Sequence, residues 1–173
     1  MGTTVAAVAV ALWLGFRPTP AECAFMSLAA AGRASIAALP LHRDFGNAHV
    51  QPGQRVPYGT RFPLSGPHAD IWTEPGFYSV RQPPERLVHA LEHGNIVIYY
   101  DTLGAATVET LKHWANLYPG MWSGIVATPM PGLGDAVALT AWRRMLQLAA
   151  FDETQAAAFI DAFRGSGPEN PVR

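Results

Sequence analysis

The chain is short of the residues that build many familiar sites. It has one cysteine, Cys23, among 173 residues, so no internal disulfide and no paired-cysteine metal or redox motif is open to it. Any metal ion must be held by nitrogen and oxygen donors, with methionine sulfur as the remaining option. Charge is scarce as well. Charged residues make up 14% of the chain, against about a quarter in an ordinary globular protein. The formal net charge is −1, and Lys112 is the only lysine among 12 basic residues. The basic footprint that nucleic-acid binding requires is therefore missing. No phosphate-cradling glycine loop or dinucleotide fingerprint competes for the function either. No internal repeat is visible.

Apolar residues, at 49%, are plentiful. That share supplies a substantial core for one domain and excludes disorder over most of the length. An apolar run from Val5 to Phe16 is too short for an ordinary membrane span. Its length suits the apolar region of a signal peptide, with small residues at Ala21 to Ala24 downstream, although no Lys or Arg precedes Arg17. The sequence thus predicts an exported protein, periplasmic or anchored and facing outward, with residues 1–24 as signal peptide or N-terminal anchor. A membrane enters only through that anchor. Residues 25–46 follow as a linker, overlapping an Ala-rich stretch (17–40) that reads either as linker or as a loosely amphipathic helix. Residues 47–169 form one domain, and 170–173 are a tail.

Punctuation dominates residues 41–82, where Gly and Pro recur too often for any helical period to survive. An irregular stretch of that length inside a compact domain is often functional. Regular patterns begin at Pro83-Pro84, which suit a helix start. Helix is expected to Gly94, a strand at Ile96–Tyr100, helix at 106–117, a strand at 122–128 and a turn at 129–134. One long strand at 136–148 follows, running past Trp142. Asp152 caps a last helix, 153–164. The fold class expected is α+β: a small mixed β-sheet with packed helices, preceded by a long Pro/Gly-rich loop region.

The chemistry centres on His89-Ala90-Leu91-Glu92-His93. Residues four apart on a helix share a face, so His89 and His93 can reach one ion. Leu87 and Leu91 lie on one side of the helix, and His89, His93, Glu92 and Glu85 lie roughly opposite. His68, in Ser65-Gly66-Pro67-His68, and His49, before Pro52-Gly53, sit in loops whose backbones proline and glycine fix. Four histidines, His49, His68, His89 and His93, are the predicted metal ligands, with Glu92 orienting an imidazole from behind. His42 and His113 are left as structural. The pattern also matches an inverted zinc-protease motif, but Gly94 ends the helix at once. That enzyme also needs a downstream acidic ligand, for which Glu109 and Glu153 are unmarked candidates. Imidazole donors suit copper, the first choice for an exported protein, or zinc. Met26, Met121 and Met130 would be soft ligands if they were not core filling. Tyr58, Trp72 and Tyr78 wall a pocket or staple the loop.

Several segments resemble one bacterial family, known only as domain of unknown function 3105. They are His49, Val56-Pro57-Tyr58, Ser65-Gly66-Pro67-His68, Trp72, Gly76-Phe77-Tyr78, Glu85 through Gly94, Tyr99-Tyr100, Pro131-Gly132-Leu133, Ala141-Trp142 and Phe163 through Glu169. Phe62 and Leu64 stand where the family tends to have Pro and Thr. The resemblance implies a shared histidine site and, from the anchors common in the family, export. It implies no particular reaction. Two functions remain open: carriage, storage or sensing of metal, or a metalloenzyme on the same site. The second would be a copper oxidoreductase or, less well supported, a zinc hydrolase, with Glu92 catalytic. A third reading has the histidines merely packing.

Overall fold

The structure, a computed structural model, describes residues 17–173. The apolar run at Val5–Phe16, and with it most of the predicted signal segment, lies outside the described residues. No helix among those described is long and apolar enough to cross a membrane.

Helix α1 spans Pro20–Ile36. Thr19 and Glu22 close its first turn reciprocally: the Thr19 hydroxyl accepts from Glu22 N, and Glu22 Oε2 accepts from Thr19 N at 2.6 Å. Phe25, Ala29, Gly32 and Ile36 recur at helical spacing and are all buried. Most of the segment read as linker is therefore this helix, packed into the core. Its stripe has two small residues, Ala29 and Gly32, between Phe25 and Ile36, so the sequence signal is weak.

A five-stranded mixed sheet follows, ordered β1-β3-β2-β4-β5, with β1 at Gly76–Phe77, β2 at Ile96–Tyr100, β3 at Ile125–Pro129, β4 at Val137–Ala141 and β5 at Arg144–Leu148. β3 runs parallel to β1 and β2, while β4 is antiparallel to both β2 and β5. The predicted 136–148 strand is in fact this β4–β5 hairpin, turned at Trp142-Arg143. No Gly, Asn or Asp marks the turn. Arg143 sits in the left-handed region, at φ 59°, because distant chain holds it there. Its N–H donates to the Leu64 carbonyl, its Nε donates to the His42 carbonyl, and its own carbonyl accepts from His42 N. β1, only two residues long, falls inside the stretch read as loop.

The strands alternate strictly between two cores. Ile96, Ile98, Ile125 and Leu139 face α1, α3 (Ala105–Leu117) and α4 (Glu153–Phe163). Val97, Tyr99, Val126 and Ala138 face α2 (Pro84–Glu92) and the Pro/Gly-rich segment that crosses over it. Burial on both faces is why β2 is apolar without alternation. α1 closes on α4 so tightly that a Cβ at Gly32 would stand 2.0 Å from the Thr154 carbonyl oxygen. Asp152 caps α4 by accepting from Thr154 N and Gln155 N, as its sequence position predicts.

Candidate metal centre

α2 is the element that aims the cluster. Leu87 and Leu91 anchor it in the second core. Gly94, at φ 93°, ends it with paired bonds, Gly94 N to the Leu91 carbonyl and Asn95 N to the Ala90 carbonyl. The Asn95 side chain then accepts from Gly124 N at 2.7 Å, tying the helix end to the start of β3. Of the two carboxylates on the polar side of α2, Glu85 is already engaged: it accepts from Val56 N at 3.0 Å and from Arg55. Glu92 is turned the other way, toward the histidines.

The loop supplies two histidines as one unit. Residues 48–50 and 68 pair in parallel, with His68 N donating to the Ala48 carbonyl and Val50 N to the His68 carbonyl. Side chains of directly paired residues project to the same side, so His49 and His68 emerge together. Gly66, at φ 120°, bends the chain so that its carbonyl accepts from His68 Nδ1 at 2.9 Å. On α2, His89 Nδ1 donates to the Ala69 carbonyl at 2.8 Å. A carbonyl can only accept, so Nδ1 carries the proton in both rings. Nε2 of each is thereby free to bind a cation, the usual way an outer partner fixes a metal-ligating histidine.

The three rings stand nearly equidistant. Ring centres are 5.0 Å apart for His49 and His68, 5.1 Å for His49 and His89, and 4.9 Å for His68 and His89. An imidazole nitrogen about 2.0–2.1 Å from zinc puts its ring centre about 3.2 Å from the ion, and tetrahedral directions then separate ring centres by about 5 Å. Donor atoms of His49, His68, His89 and Glu92 all lie within 4.8 Å of one another. His68 Nε2 is 3.0 Å from Glu92 Oε2, yet it is buried without a hydrogen-bond partner. Two electron-rich atoms at that separation call for a positive charge between them. Asn47 Nδ2 donates to the other oxygen, Glu92 Oε1, at 2.6 Å and fixes the carboxylate.

The fourth predicted ligand, His93, falls beside this group rather than in it. His89, His93 and Glu169 make a second set of donors, sharing His89 with the first. Glu169 is not among the ligands expected from the sequence, although it ends the last segment that resembles the family. The tail docks on the end of α2: Gly165 N donates to the Gly94 carbonyl at 2.8 Å. A Cβ at Gly167 would lie 2.1 Å from the Glu92 carbonyl oxygen. Glycine at that position permits the approach, and the approach delivers Glu169. Trp122, also missed, and Trp72 flank the His93 ring at 4.3 and 4.6 Å.

Burial shapes the charge of the site. His89 is held neutral, its pKa pushed down from 6.5 to about 4, first by burial and then by its neighbours His93 and His68. Burial lowers His93 as well, against the opposing pull of Glu169 and Glu92. Neutral imidazole is the ligating form.

The other candidates lie elsewhere. His113 is exposed on α3, and His42 donates and accepts main-chain bonds with Arg143. Met26 is exposed on α1, Met130 packs in the second core, and the Met121 side chain is exposed, with only its backbone meeting His93. Glu109 pairs with Lys112, and Glu153 accepts from Thr110, both on the sheet face away from α2, so neither serves as the protease-type acidic ligand. Tyr78 and Trp72 pack against the second core, and the Tyr58 hydroxyl donates to the Pro67 carbonyl. A cavity of about 600 Å³ lies along the loop, between Arg43, Phe45, Tyr58, Phe62, Ser65 and Met145, and none of the predicted ligands lines it.

Comparison with known proteins returns no match among curated proteins and none among solved structures. The family model described as protein of unknown function (DUF3105) matches residues 49–173. That span holds every histidine of the cluster as well as Glu92 and Glu169, and the chain belongs to this family.

Proposed function

We propose that this is a metal-binding protein whose ion is held by His49, His68, His89 and Glu92, for carriage, storage or sensing rather than turnover. The observation that carries the reading is the near-tetrahedral spacing of the three rings around a carboxylate, with His68 Nε2 left facing Glu92. A proton between that pair would serve one histidine. A divalent ion serves three histidines and the carboxylate at once. Three nitrogens and one oxygen at tetrahedral spacing suit zinc, which moves ahead of copper in this reading, because copper(II) prefers a tetragonal arrangement. Four protein donors make a closed site, whereas catalytic zinc keeps a position open. The loop cavity, lined by none of these donors, also speaks for binding over catalysis. The apolar stretch at Val5–Phe16 supports export, which would put the encounter with metal outside the cytoplasm.

Elemental analysis and zinc titration of the purified chain test this. A tightly held ion is expected, lost together with its tight binding in a His68→Gln/His89→Gln variant that still folds by circular dichroism. Protein that neither retains nor takes up zinc or copper would sink the proposal. Binding of azide to a metal that keeps a water ligand would return the balance to the enzyme.

A further inference from the structure

Filling the first site leaves two donors without a task. His93 Nε2 lies 3.1 Å from Glu169 Oε2, and His89 Nε2 lies 3.8 Å from the same oxygen. The plain role for such a pair is to pin the tail. The tail, however, is already pinned through its backbone, by Gly165 N on the Gly94 carbonyl and by the fit of Gly167 against Glu92. His93 is 2% exposed, and two tryptophans hold its ring. Glu169 differs: its side chain is 43% exposed, so water can reach whatever it binds.

We propose that His93 and Glu169 hold a second divalent cation beside the first, with water in its remaining positions. This inference rests on the proposed function. His89 belongs to both donor sets, so the two positions are neighbours, as in two-metal centres with ions about 3.5–4 Å apart. His89 has only Nε2 to give, since Nδ1 is bonded to the Ala69 carbonyl. The first ion takes it, with His49, His68 and Glu92 completing four donors. The second ion keeps two protein ligands and is the weaker and more exchangeable of the two. Pairing the sites gives the protein a resident ion and a labile one, which suits a carrier that must both retain metal and exchange it.

Zinc titration by calorimetry on the full chain, with elemental analysis at saturation, reads the stoichiometry. Two ions per chain are expected, the second bound at least tenfold more weakly. Glu169→Gln and His93→Gln should each weaken the second ion tenfold or more and leave the first in place. Cobalt(II) provides a measurement on the unaltered protein. The second equivalent should diminish the paramagnetic resonance signal of the first through magnetic coupling, which an ion on a remote surface histidine would not do. One ion in the unaltered chain overturns the inference, as does a second ion that survives both substitutions or fails to couple. In those cases the first site stands. Failure to bind any ion removes both readings.

Discussion

On one face of the sheet, Ile96, Ile98 and Leu139 meet three helices through apolar contact alone. On the other, Val97 and Tyr99 meet a single short helix and a crossing segment of irregular chain, which between them bury His68, Glu85, His89, Glu92 and His93. The apolar face is held by area removed from water. The second face has its own apolar core around Leu87 and Leu91, and adds to it directed bonds, many made to main-chain groups, which accommodate groups that would otherwise be costly to bury. Stability and chemistry are thus divided by a sheet one strand thick.

The division can be broken from either side. The largest effect is expected from Leu139→Ala, fully buried against the helices, which should cost about 2–5 kcal/mol in urea unfolding. Zinc affinity of the folded fraction should be unchanged, and a parallel loss of affinity would show that the faces are not independent. Next comes Glu92→Gln on the other face. It keeps the shape and the Asn47 contact but removes the charge, so affinity should fall by at least about 10–100-fold, the range seen when only an outer partner of a ligand is removed. Stability of the metal-free protein should hold. Gly167→Ala places a methyl group against the Glu92 carbonyl and should cost about 1–3 kcal/mol through displacement of the tail. A thermal melt together with the weaker zinc isotherm would check it.

Acid gives the finest test. His89 is neutral in the fold down to about pH 4, while its ordinary value is 6.5. Between those values the unfolded chain binds the extra proton, so metal-free stability should be greatest above pH 6.5 and decline as pH falls toward 4. Replacing His89 with Gln should flatten that part of the profile. An unchanged slope would place the acid sensitivity elsewhere.

Much of this was legible in the residues themselves. α2, β2 and the Asp152-capped α4 carry their own periods and punctuation, and the histidines in loop and helix announced a common target. What escaped was set by contacts between distant stretches. The hairpin turn depends on Arg143 being gripped by His42 and Leu64 rather than on a turn residue. α1 reads weakly because half of its stripe is alanine and glycine, and its depth becomes visible only when Thr154 lies against Gly32. Glu169 reaches the site through a glycine whose value is the space it leaves. His93 shares the polar side of α2 with His89, but helix geometry alone could not say that its ring groups with His89 and Glu169 from the tail rather than with His49 and His68.

The parallel bridge between His49 and His68 bears on kinetics. Two main-chain hydrogen bonds tie together the backbones that carry these ligands. The His49 ring is exposed and free to turn about its own side-chain bonds, whereas the His68 ring is buried. Release of an ion would therefore begin at His49, and lifting His68 away as well would require the paired segments to peel from α2 as one piece. A competing chelator would find its first handhold at the outer ring.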